Sequence, residues 1–205
     1  MEKWHKESFF STTSRILQLL SYPLSRWYLF RMKKWHINGG QDCREIGKPL
    51  IIAAAPHLSH IDVVVVPAAL PANLLPVRWL ADEKIFTNRA KSLWLRLWGA
   101  IPVKRDPQGS FEDGQIENIL EFVVQHRACV GLFPECCLVG GRFNQYHKDI
   151  VTSALEQSIC VLPVTISNAV SMKESESDSD KTESLAVSIG KPLLAATDLL
   201  DSLAS

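Results

Sequence analysis

No charge of one sign predominates in this chain. Lysine plus arginine number 22 and aspartate plus glutamate number 22 over 205 residues. That balance lacks the overall basic character of a nucleic-acid-binding domain, and no nucleic-acid partner is expected. Nor does any C-x-x-C pair occur among the 5 cysteines, Cys43, Cys129, Cys136, Cys137 and Cys160. An odd count without spaced pairs excludes a secreted disulfide framework and fits a reduced interior. No apolar run reaches the roughly 20 residues that a spanning helix needs. Charged residues follow Met1 directly, with no apolar stretch and small-residue cleavage site, so a secretory signal is not expected.

What is present is unevenly distributed. The first 50 residues are basic, with Lys3, Lys6, Arg15, Arg26, Arg31, Lys33 and others against Glu2, Glu7, Asp42 and Glu45. The segment 9–35, "FFSTTSRILQLLSYPLSRWYLFRMKKW", mixes these charges with apolar clusters, and Pro23 interrupts it. Two short amphipathic helices are expected within residues 1–40. Their apolar faces either pack on the domain or enter a lipid interface.

Residues 41–205 read as one α/β domain. Buried strands are expected at 48–55, 77–83, 100–106, 128–135, 159–167 and 185–192. Helices are expected at 91–99, closing on Gly99, at 110–126, opened by a Ser110–Asp113 capping box, and at 147–158. The run 61–71 reads as either strand or helix, since β-branched residues follow a polar turn. The low-complexity stretch 171–184 cannot build core and is expected to be a mobile loop. Continuous apolar strands alternating with amphipathic helices predict a mostly parallel mixed sheet flanked by helices.

Three polar constellations interrupt this pattern. "PHLSHID" sets His57, Ser59, His60 and Asp62 between two core runs. On an ideal helix the step from His57 to Asp62 is about 500°, which takes the two off one face. A turn after the strand would instead return Asp62 towards His57, where it orients the imidazole as a general base. The bland alternative is a structural hydrogen bond. A metal set built on His57, His60 and Asp62 lacks a further ligand motif nearby, so no metal is expected. In "GAIPVKRD", Lys104 and Arg105 follow a strand, where an open α/β sheet binds ligands and where a phosphate suits both; a solvated strand end is the alternative. In "LFPECC", Glu135 is a costly carboxylate at a buried strand's end unless it has a partner. Cys136 and Cys137 read as inert thiols rather than nucleophiles.

In order and spacing these stretches resemble the glycerolipid acyltransferase family typified by 1-acylglycerol-3-phosphate acyltransferases. The His-x4-Asp motif is matched by His57 and Asp62, the Pro-x-Lys-Arg segment by "GAIPVKRD", and the Phe-Pro-Glu motif by Phe133, Pro134 and Glu135. "VLPVTI" around Pro163 and Gly190–Pro192 resemble the closing strands. The resemblance covers roughly residues 30–195. It departs where Cys136, Cys137 and Leu138 stand in place of Gly-Thr-Arg, and where Pro56 stands in place of an Asn.

The resemblance implies transfer of an acyl group from acyl-CoA or acyl-ACP to a lysophospholipid hydroxyl, most simply that of 1-acylglycerol-3-phosphate. His57 would be the base and Asp62 its orienting partner. Lys104, Arg105, Glu135 and Ser59 would bind substrate. No cofactor is implied beyond the acyl thioester. The expected setting is the cytoplasmic face of a membrane, held peripherally or monotopically. A different lysolipid acceptor, or a non-catalytic lipid-binding module, remain alternatives.

Overall fold

A computed structural model describes residues 2–32, 36–41, 43, 46–55, 62–104, 111, 114–133, 145–170 and 183–194. Along the chain run α1 (Glu2–Met32), β1 (His36–Gly39), β2 (Leu50–Ala55), α2 (Asp62–Ala69), β3 (Val77–Asp82) and α3 (Arg89–Leu97). They are followed by β4 (Ala100–Val103), α4 (Gln115–Gln125), β5 (Cys129–Leu132), α5 (Gln145–Glu156), β6 (Cys160–Val170) and β7 (Glu183–Ile189). The strands form one sheet in the order β1-β7-β6-β2-β5-β3-β4. β6, β2, β5, β3 and β4 are mutually parallel. β7 runs antiparallel to β6, and β1 runs parallel to β7. This is the mostly parallel mixed sheet that the apolar runs predict.

Strand β2 shows why the sheet needs cover on both faces. Its sequence LIIAAA is apolar throughout, so successive side chains enter opposite layers. Leu50, Ile52 and Ala54 join a core containing Val65 and Val66 of α2 and Leu29 of α1. Ile51 joins a second core with Ile119 and Val123 of α4 and Ile150 and Ala154 of α5. Within the ambiguous run 61–71, residues 62–69 are therefore a helix. Its β-branched residues suit one because most of its faces are buried.

Four local expectations need correction. A single helix, α1, replaces the expected pair and runs through Pro23. Tertiary contacts override the proline: Tyr22 Oη donates to the Leu70 carbonyl at 2.7 Å, and Arg26 Nη1 donates to the Ala68 carbonyl at 3.2 Å. Both bonds also satisfy carbonyls at the end of α2. Second, residues 36–39, expected to be helical, form the edge strand β1. Third, α4 begins at Gln115 behind Gly114, which is left-handed at φ 74°, and not at the Ser110 capping box. Ser110 and Asp113 lie outside the described residues. Fourth, β7 starts at Glu183, inside the stretch assigned to a loop; 171–182 lie outside the described residues.

Gly99 closes α3 as expected, at φ +99°. A Cβ there would meet Gln18 Nε2, Ser14 Oγ and the Val77 carbonyl, each at 2.9 Å. The glycine thus serves both the turn and the close seating of α1. The face of α1 turned to the domain carries Ser14, Gln18, Tyr22, Arg26 and Leu29. Ile16, Leu20, Leu24, Trp27 and Phe30 point the other way, with Leu20 72% and Phe30 71% exposed. The usual amphipathic arrangement is inverted, since the more polar stripe meets the protein.

Candidate active site

The parallel strands deliver the chemistry to one edge. β2 ends at Ala55, two residues before His57, and β5 ends at Leu132, three residues before Glu135. β2 and β5 are neighbours, paired at Ala53 and Leu132. β4 ends at Val103 and hands over directly to Lys104 and Arg105. β4 lies three ladder steps from β2, or about 14 Å at ordinary interstrand spacing. The strands that precede the three motifs in sequence therefore all end at the carboxyl edge, where open α/β sheets bind ligands.

Two of the expected site residues are described. Asp62 is the first residue of α2 and is buried, at 2% exposure. Six residues separate it in sequence from Ala55, the last residue of β2. Lys104 is exposed. Its backbone is clamped from both sides by Gln115, whose Oε1 accepts from the Lys104 amide and whose Nε2 donates to the Lys104 carbonyl, each at 3.1 Å. Gln115 thus fixes the backbone at this point. His57, Ser59, Arg105 and Glu135 lie outside the described residues, as do His60, Cys136, Cys137 and Leu138. Among the described residues, no group of three His, Cys, Asp or Glu side chains is arranged to hold a metal.

Trp79 is the residue that sequence reasoning passed over. It sits in β3, between β5 and β4, and was read as plain strand core. Its ring stacks on Phe133 at 4.5 Å between centroids and 6° between planes. Its Nε1 donates to the Val63 carbonyl at 3.2 Å. Gly131, its partner in the ladder, makes room for it, since a Cβ there would come within 2.6 Å of the indole. The pairing of an aromatic with a glycine on adjacent strands was the available signal, but it needed the strand register to be seen.

The thiols at the opposite edge are not reactive groups. Leu50 pairs with both Cys129 and Cys160 at the amino ends of their strands. Both are buried free thiols. Burial pushes the Cys129 thiol up to about 12 and the Cys160 thiol up to about 11. Burial also lowers the pKa of Lys48, whose Nζ donates to the Leu75 carbonyl at 2.6 Å.

A family model described as Acyltransferase matches residues 36–167. That span begins at β1 and ends within β6, taking in all three motifs. The fold is also similar to the crystal structure of PlsC, the 1-acyl-sn-glycerophosphate (LPA) acyltransferase from Thermotoga maritima. The TM-score is 0.52 at 14% identity, covering 91% of this chain and 69% of that one. A comparison with curated proteins finds no match.

Proposed function

The chain belongs to the acyltransferase family, and from that premise we propose that it moves a fatty acyl group from an acyl thioester to the hydroxyl of a lysophospholipid, most simply 1-acylglycerol-3-phosphate. The observation that supports this reading is that strands β2, β4 and β5, which directly precede the His57–Asp62, Lys104–Arg105 and Phe133–Glu135 stretches in sequence, are parallel and end at one edge of the sheet.

In this mechanism His57 takes the proton of the acceptor hydroxyl as the oxygen attacks the thioester carbonyl. The new C–O bond forms, the C–S bond breaks, and the proton passes to the departing thiolate. A thiol has an ordinary pKa of roughly 8.5–9, so the thiolate leaves readily and no acyl-enzyme is needed. Asp62, buried and acidic at the start of α2, orients His57 and stabilises its protonated form. Lys104 and Arg105 hold a phosphate, Arg as a fork and Lys as a point charge. Glu135 and Ser59 position the acceptor. The donor is acyl-CoA or acyl-ACP.

The working place is a membrane surface, on its cytoplasmic side. The outward apolar stripe of α1 supports this, since a helix on a soluble domain ordinarily turns that stripe inward. Among the described residues no helix is long and apolar enough to cross a membrane, which favours a peripheral or monotopic attachment. The buried free thiols are compatible with a reducing compartment.

One observation favours a second acceptor. Cys136, Cys137 and Leu138 replace the Gly-Thr-Arg expected after Glu135, removing an arginine suited to the acceptor phosphate. A panel of lysolipids offered with one labelled acyl thioester separates the readings. Preference for 1-acylglycerol-3-phosphate supports the first. Preference for an acceptor without a phosphomonoester replaces it with the second.

A further inference from the structure

Helix α2 contains a gap in its own hydrogen bonding. An α-helical carbonyl at residue 63 takes its bond from the N–H of residue 67. Residue 67 is Pro67, inside the helix, and has no N–H. In a helix a proline ring also crowds the carbonyl four residues before it. The side chain that meets this carbonyl is Trp79, whose Nε1 donates to it at 3.2 Å. The indole thus supplies from β3 the donor that Pro67 removes.

The location gives this bond consequence. Val63 follows Asp62 directly, so the bond holds the first turn of the helix that carries the buried carboxylate. The other side of the same indole function is the stack on Phe133, the residue from which Pro134 and Glu135 lead off. The Trp79 backbone is itself held, its amide donating to the Gly99 carbonyl at 3.0 Å. The residue is 5% exposed, and its indole fills the space that Gly131 leaves by having no Cβ. One indole therefore bears on the end of the His57–Asp62 stretch, at Val63, and on Phe133, the start of the Phe-Pro-Glu stretch.

We propose that Trp79 is a positioning residue for acyl transfer: by replacing the backbone donor lost at Pro67 and stacking on Phe133, it sets the register between Asp62 and the Phe133–Glu135 segment. This rests on the reading of Asp62 as the partner of His57. The residue touches no substrate and acts through Asp62 and Phe133.

Pro67 provides the test, because the missing donor can be restored from the other side. Trp79→Phe keeps an aromatic against Phe133 and removes the N–H. It should lower kcat by roughly tenfold to a hundredfold, the loss that follows a small displacement of a catalytic group, with KM for the acceptor within about threefold. Adding Pro67→Ala returns a backbone N–H to Val63. The Trp79→Phe/Pro67→Ala protein should recover to within about threefold of the Pro67→Ala protein. Trp79→Leu, which also loses the stack, should raise the acceptor KM as well.

A second readout does not depend on turnover. Amide exchange of Val65 and Val66 should quicken in Trp79→Phe and slow again in the double variant. Unchanged exchange in Trp79→Phe overturns the proposal, and so does a kcat loss that Pro67→Ala fails to restore. If wild-type protein transfers no acyl group to any lysolipid, the reading of the reaction fails. The exchange measurement then decides alone whether Trp79 holds the start of α2.

Discussion

The side-chain amide of Gln18 meets the backbone of Val77 in both directions: Oε1 accepts from the Val77 amide and Nε2 donates to the Val77 carbonyl, each at 2.9 Å. Nε2 also lies 3.1 Å from the Trp98 carbonyl. A glutamine on α1 thus extends the ladder at the start of β3, and the first helix is built into the domain. Replacing it with leucine strands buried backbone groups. Gln18→Leu should destabilise the protein by about 2–4 kcal/mol. Urea unfolding checks this, with a lower midpoint and an unchanged slope expected.

Gly99 and Gly114 separate steric from conformational cost. Both are left-handed, but a Cβ at Gly99 meets three atoms at 2.9 Å, while at Gly114 no atom of the described residues lies within 4 Å. Gly114→Ala should cost about 1–2 kcal/mol, the ordinary penalty of that backbone region. Gly99→Ala should cost clearly more, by 1–3 kcal/mol of overpacking on top. Thermal unfolding of the pair compares them.

The outward stripe of α1 makes a claim about lipid. Leu20→Glu and Phe30→Glu remove apolar surface already open to water, so stability should change by no more than about 0.5 kcal/mol. Each should weaken sedimentation with vesicles containing anionic phospholipid by about tenfold, the equivalent of losing one inserted side chain. Vesicle binding equal to wild type in the double variant would remove α1 as the attachment.

The buried thiols give stability a pH signature. Their folded pKa values lie above the ordinary 9, near 12 for Cys129 and near 11 for Cys160, with burial as the main cause. Above pH 9 the unfolded chain releases protons that the folded state keeps, so stability falls as pH rises towards 11–12. Each thiol contributes a slope of at most about 1.4 kcal/mol per pH unit. Lys48 acts oppositely. Burial lowers its folded pKa, so it favours folding more as pH rises to 10.5 and has no further effect above that. The fall is therefore steepest above 10.5. Urea midpoints at pH 8.5 and 11 should show it, and Cys129→Ala/Cys160→Ala should flatten it.

Much of the sheet was legible because burial on both faces writes strands as unbroken apolar runs, as in LIIAAA of β2. The motif residues were legible because polar groups at the ends of such runs stand out. β1 was not, since HING is a short, largely exposed edge strand whose pairing with β7 lies some 150 residues away in sequence. The continuity of α1 through Pro23 was hidden because it depends on Tyr22 and Arg26 reaching α2. Trp79 was hidden for the same kind of reason. Its meaning comes from Pro67, Gly131 and Phe133 together, and no local pattern joins them. Gln115 has the appearance of any polar residue in the first turn of a helix until Lys104 is seen against it.

The most direct measurement is single-turnover transfer from a labelled acyl thioester to 1-acylglycerol-3-phosphate by His57→Ala, beside wild type and Asp62→Asn. His57→Ala should lose at least about a hundredfold in rate, with Asp62→Asn following it and urea midpoints close to wild type. A His57→Ala protein that transfers at a rate near wild type would contradict the role of His57 as the base.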